Sequence, residues 1–156
     1  MNEKKSLFKI LIQKTVGILN DERGENRKLK EICRLLKDNV TYYDWVGFYS
    51  VDRKGEKELV LGPFEGEPTE HVRIPFGKGI CGQAADTEKT YIVQNVKKES
   101  NYLSCSPKVK SEIVVPISRG GRVVGEIDVD SHTLSPFTEE DREFLEKISS
   151  LVSSLL

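Results

Sequence analysis

The chain has 156 residues, 37% of them hydrophobic and 31% charged, with a net charge of −1. That length and balance suit a single soluble domain with a real core, and they supply no global field for nucleic acid or an anionic membrane. No apolar run approaches the roughly 20 residues of a membrane span, and Lys9, Gln13 and Lys14 interrupt the only stretch resembling a signal peptide. A cytoplasmic protein is expected. Three cysteines, an odd number, argue against a structural disulfide framework and leave transient, catalytic disulfides as the alternative.

Residues 6–19 place Phe8, Leu11, Ile12, Ile18 and Leu19 at helical spacing. Residues 27–38 do so more clearly, with Leu29, Ile32, Cys33 and Leu36 at i, i+3, i+4 and i+7. The aromatic and β-branched run "YYDWVGFYSV" (42–51) predicts a strand, and "KELVLG" continues it after the turn "DRKGE". A looser segment, 62–76, ends in "VRIPF". "GKGICGQAADTEK" (77–89) reads as a glycine turn and a short helix, "TYIVQNV" (90–96) as a strand, and 97–110 as a loop. "SEIVVPIS" and "RVVGEIDVD" form a hairpin across a glycine turn. Thr138 and Asp141 start a last helix in the manner of a capping box, with Phe144, Ile148, Leu151, Val152 and Leu155 on one stripe. The order predicts one α+β domain over 1–156, a mainly antiparallel sheet with N- and C-terminal helices packed against it.

The hairpin turn bears on function. A two-residue turn at Gly120–Gly121 would pair Ile113 with Asp128 and Val115 with Glu126, mixing core and polar residues. A three-residue loop, 119–121, gathers Ile113, Val115, Ile117, Val123, Ile127 and Val129 on one face. Glu112 then falls opposite Asp128, with Asp130 two residues along. We expect the three-residue loop, and with it an acidic cluster of Glu112, Asp128 and Asp130. Whether that cluster is a site or the solvated face of an edge hairpin stays open on pattern alone.

Two thiols have settings of interest. Cys105 lies in the polar stretch "SNYLSCSPKVKSEIVVP" rather than on an apolar face. Cys81, in "GKGICG", is expected near a helix N-terminus, where backbone amides lower a thiol's pKa and bind anions. The alternative there is a tight turn around a small buried cysteine. The G-x-G-x-x-G match is not read as a dinucleotide site, since no parallel βαβ unit surrounds it. Cys33 reads as core. No metal site is expected: C-x-x-C is absent, and His71 and His132 stand alone in loops as ordinary surface residues.

"YDWVGFY", "LVLGPFEG", "RIPFGKGICG", "CSPKVKSEIVVPI" and "GEIDVDS", in that order, resemble the free methionine-(R)-sulfoxide reductases, which are enzymes of the GAF fold. The resemblance implies a dimeric GAF-like enzyme that reduces free methionine sulfoxide without a cofactor. It implies Cys105 as nucleophile and Glu112, Asp128 and Asp130 as substrate-binding carboxylates. Trp45 and Tyr49 would form an aromatic wall for the S-methyl group, and the amides of Gly79, Ile80, Cys81 and Gly82 would meet the substrate carboxylate. One acid held neutral by its neighbours would protonate the departing oxygen, and the others would hold the ammonium. Family members commonly carry a third cysteine between "GPF-x-G" and "RIP"; here "GPFEGEPTEHVRIP" has none. Cys81, the other cysteine in a matching motif, is therefore expected to resolve the Cys105 sulfenic acid as a disulfide, with an external thiol as the alternative. Thioredoxin or another dithiol would restore the enzyme. The rival reading is a non-catalytic GAF sensor of small ligands or redox state.

Overall fold

The computed structural model describes residues 2–52, 54, 57–104 and 106–156; Cys105 and part of the 52–56 turn lie outside them. Helices α1 (Glu3–Leu19) and α2 (Glu25–Asn39) precede strands β1 (Trp45–Val51), β2 (Glu58–Glu65) and β3 (Arg73–Pro75). Helix α3 (Gly79–Thr87), strands β4 (Tyr91–Val93), β5 (Ser111–Arg119) and β6 (Arg122–Ser131), and helix α4 (Glu139–Val152) follow. The strands form one antiparallel sheet in the order β3-β2-β1-β6-β5-β4. The α+β architecture is the predicted one. The loose segment contributes the short β3, and the strand expected over 90–96 shrinks to Tyr91–Val93 before a 3₁₀ turn at Val96–Lys98.

The two faces of the sheet have different covers. On one, α2 lies over β1 and β2, α4 lies over β5, and α1 packs onto both helices. Leu29, Ile32, Cys33 and Leu36 of α2 share one buried core with Ile113, Val115, Ile117, Ile127 and Val129 of β5 and β6. Each such aliphatic side chain contributes about 1.5–3 kcal/mol relative to exposure. Phe8 of α1 stacks on Phe144 of α4 with ring centroids 4.1 Å apart. The other face carries α3 and the long loops, over Trp45, Tyr49, Ile74, Ile80, Cys81 and Val114.

Helix α4 begins with the expected capping box, in which Thr138 and Asp141 each satisfy the other's backbone. Asp141 does more than cap. It is wholly buried. Its Oδ1 accepts from Tyr42 Oη at 2.7 Å and Tyr43 Oη at 2.8 Å, and its Oδ2 from Lys4 Nζ at 2.7 Å and Thr138 N at 2.9 Å. One carboxylate thus ties α1, the approach to β1 and α4 together. Burial first, and Asp141 next, push both tyrosine hydroxyls well above their ordinary pKa.

The hairpin corrects the expected register. Arg119 pairs with Arg122 across a two-residue Gly120–Gly121 turn, and a bulge between Ile117 and Ser118 then shifts the ladder. Beyond the bulge Ile113 pairs with Val129 and Glu112 with Asp130, so Asp128 sits opposite Val114, not Glu112. The extra residue is Val124, which packs on the helical core where Val123 was expected. Face membership survives because the turn is one residue shorter than expected and the bulge restores the parity. β5 and β6 are interior strands, so the acidic face is not that of an edge hairpin.

Candidate active site

Three cross-strand rows build the floor of the site. Trp45 of β1, Asp130 of β6 and Glu112 of β5 form the first; Gly47, Asp128 and Val114 the second; Tyr49, Glu126 and Pro116 the third. Residues directly opposite in an antiparallel sheet point to the same side, and alternation along β6 brings Glu126, Asp128 and Asp130 onto one face. All four acids are buried: Glu112 is 6% exposed, Asp128 4%, Asp130 1% and Glu126 0%. Packing this face beneath α3 converts a charged stripe into an enclosed pocket.

Gly47 makes room for the wall. A Cβ there would lie 2.3 Å from the Trp45 ring, so the indole lies across the glycine, beside Asp128. Phe64 stacks on it at 5.4 Å, and its Nε1 donates to the Glu67 carbonyl at 3.0 Å. Tyr49 Oη donates to the His71 carbonyl at 3.1 Å. At the head of α3, Gly79 has φ +67°, and a Cβ would meet Leu103 at 2.9 Å. The glycine is demanded by backbone conformation and by this close approach. The Gly79 amide donates to Asn101 Oδ1 at 2.8 Å and the Gly82 amide to the Lys78 carbonyl at 3.0 Å. Two of the four amides expected to meet a carboxylate are therefore engaged within the protein.

Trp45, Tyr49, Gly79, Ile80, Cys81, Glu112, Asp128 and Asp130 line one cleft of about 350 Å³, its mouth included. Gly82, buried in α3, is not among the lining residues, against expectation, and Cys105 falls outside the described residues. The cleft also takes Thr69, His71, Ile74 and Leu103. His71, expected as an ordinary surface residue, is half-buried at its rim, with Nε2 2.8 Å from the Ser104 carbonyl. Its loop position gave no periodic signal that could have found it.

The thiol corrects an electrostatic expectation. Cys81 stands in the first turn of α3, yet its pKa is raised far above the ordinary thiol value. Burial is the main cause, followed by Asp128, Glu126 and Glu112. Its Sγ donates to Glu112 Oε2 at 3.8 Å. The helix terminus is outweighed by desolvation and a ring of acids. Burial likewise raises Asp128, opposed by hydrogen bonds from Glu112, Cys81 and Asp130. Carboxyl groups that hydrogen-bond one another must share protons, so the cluster can both hold a cation and donate a proton. Cys81 Sγ and one oxygen each of Glu112 and Asp128 lie within 4.8 Å of one another, the one such group of three among the described residues.

Comparison with known proteins identifies the family. The GAF domain profile matches residues 23–156. The X-ray structure of a free methionine-R-sulfoxide reductase from Neisseria meningitidis, in complex with its substrate, superposes with a TM-score of 0.92 at 34% identity, covering 99% of this chain and 91% of that one. The chain belongs to the free methionine-R-sulfoxide reductase family of GAF domains. The Escherichia coli reductase is 33% identical over 82% of this chain and 75% of its own. The Saccharomyces cerevisiae reductase is 44% identical over 70% of this chain and 61% of its own.

Glu126 stands out in this reductase-family site. It is fully buried, neither carboxylate oxygen has a partner at hydrogen-bond geometry, and burial raises its pKa well above the ordinary carboxyl value, with only the neighbouring Cys81 thiol opposing it. The sequence carries it at i−2 from Asp128, the alternation that places a residue on the acidic face, yet it was read only as a polar residue that the register must keep out of the core. An unpartnered buried polar group costs about 1–3 kcal/mol. Glu126→Leu should therefore raise stability by about that amount, read as the shift in the urea midpoint at unchanged m-value. A loss of stability would show that the acid has a compensating partner.

Proposed function

We propose that the protein reduces free L-methionine-(R)-sulfoxide to methionine, with Cys105 as nucleophile. The Cys105 thiolate attacks the sulfoxide sulfur while an acid of the Glu112–Asp128–Asp130 cluster protonates the oxygen. A bond forms between the two sulfurs as the sulfoxide oxygen leaves as water. A water molecule then attacks Cys105 Sγ, the sulfur–sulfur bond breaks, and methionine departs with two more electrons on its sulfur while Cys105, two electrons poorer, is left as a sulfenic acid. The remaining carboxylates hold the substrate ammonium. The indole of Trp45 and the Tyr49 ring flank the S-methyl group. The first turn of α3, from Gly79 through Ile80 to Gly82, lies at the carboxylate end. Cys81 then condenses with the sulfenic acid, forming a disulfide and releasing water. Thioredoxin or another dithiol reduces that disulfide, as suits a cytoplasmic enzyme.

The observation that carries this reading is the convergence of three buried acids and a thiol beneath an indole wall. The Cys105 role rests on the sequence resemblance. The cysteines at 33 and 81 are free thiols. A homodimer through the terminal helices belongs to the same reading, and Ile10 and Val16 of α1 supply exposed apolar surface for it.

The test is to incubate the protein with dithiothreitol and each epimer of free methionine sulfoxide, and to quantify methionine. Product from the R epimer alone is expected. No product from either epimer, with the protein folded, would overturn the reductase reading in favour of a ligand-sensing GAF domain.

A further inference from the structure

We propose that Cys81, Glu112 and Asp128 form a binding site for a thiophilic divalent cation of the zinc class, with Glu126 as a fourth donor, and that the bound ion excludes substrate. The ion site stands on geometry; the exclusion rests on the substrate reading above. The three donors converge from α3, β5 and β6, so no spacing motif announces them. Their ligand atoms lie within 4.8 Å of one another. Tetrahedral zinc with bonds of about 2.0–2.3 Å needs donors somewhat closer than that, so binding would draw the three side chains together. One sulfur with carboxylate oxygens favours zinc or cadmium over calcium and magnesium, which take oxygen alone.

Glu126 is the independent observation. It lies outside the three, is fully buried against the Cys81 thiol, and apart from that thiol neither oxygen meets a hydrogen-bond donor among the described residues. Asp128 Oδ1, in the cleft wall, is buried and unpartnered too. The groups acting most strongly on these two acids are the thiol and other acids, none of them a cation. Buried acids without counter-charge strongly favour an ion that would neutralise them. Binding exchanges the Cys81 thiol proton, released to solvent, for a metal–thiolate bond. The ion would occupy the acids that otherwise hold the substrate ammonium.

The test uses the full reduced chain, freed of metal with a chelator, and cadmium ion as the probe. The ultraviolet thiolate-to-cadmium charge-transfer band should grow to saturation at one ion per chain. Cys33→Ser and Cys105→Ser should keep the band, and Cys81→Ser, near-isosteric and checked for fold by circular dichroism, should lose it. Glu126→Gln, which removes the charge of the fourth donor, should weaken binding by about 10-fold or more, since even outer-shell partners of a metal site are worth about that much. A band retained in Cys81→Ser, lost in Cys105→Ser, or absent from the wild type would overturn the ion site. In Cys105→Ser, which cannot turn over and so keeps Cys81 reduced, saturating methionine sulfoxide should displace the ion; a band unmoved by it there would overturn the exclusion. The epimer assay on metal-free protein reports separately on the reductase reading, so the two failures are distinguishable.

Discussion

Cys105→Ser should abolish methionine formation from the R epimer, lowering kcat/KM by about four orders of magnitude or more, as loss of a covalent nucleophile does in other enzymes. A serine hydroxyl is not ionised at neutral pH, and the acids here offer it no dedicated base. Cys81→Ser should separate the two halves of the cycle. One methionine per chain should still form in a single turnover, because of the thiols only Cys105 takes part in that half of the cycle. Repeated turnover with thioredoxin should fail, and dithiothreitol should restore it in part by reducing the sulfenic acid directly. The readouts are methionine per chain in the absence of reductant and the thiol count afterwards. An intramolecular disulfide still forming in Cys81→Ser would rule out Cys81 as the resolving thiol. Cys33→Ser serves as control: that thiol is wholly buried, and desolvation raises its pKa far out of the reactive range.

Asp141→Ala should be the most damaging substitution away from the cleft, with a loss of about 3–5 kcal/mol. It strands two tyrosine hydroxyls, one of them on the wholly buried Tyr43, together with a lysine and the N-cap amide of α4. For a domain of this size that corresponds to a fall in Tm of roughly 10 °C or more. Asp141→Asn should fall between, since the amide oxygen can still accept but the charge opposite Lys4 is gone. Lys4→Ala should lose only about 1 kcal/mol, because that side chain is 25% exposed and partly screened. Thermal and urea unfolding of the three variants check the order. A loss below about 1 kcal/mol for Asp141→Ala would mean that water replaces the carboxylate.

Much of this was legible in the chain, and the reasons for the rest are physical. The stripe of α2 and the Thr138–Asp141 start of α4 depend on residues a few positions apart, which a sequence displays directly. So does the alternation that puts Glu112, Asp128 and Asp130 on one face. The register was not legible, since a bulge adds Val124 without any mark in the local pattern. The state of Cys81 was misread for a different reason. Its place at a helix start was visible, but the acids that surround it come from β5 and β6, and only the closed fold brings them near. The metal-capable group was hidden in the same way, its members being 16 or more residues apart along the chain.

The bulge between Ile117 and Ser118 gives the hairpin a slip joint. On its far side, Gly120 and Gly121 form an exposed tip where nothing lies within 4 Å of either Cβ direction. On its near side, Ile113, Val115, Ile127 and Val129 interlock with the helices, and any shift there would carry the acids out of the pocket. A change of turn length can be absorbed at the joint before it reaches the aliphatic clamp. The Gly120–Gly121 tip is therefore the place to graft a reporter, such as a fluorophore or a small inserted domain, with the chemistry at the opposite end of the hairpin undisturbed.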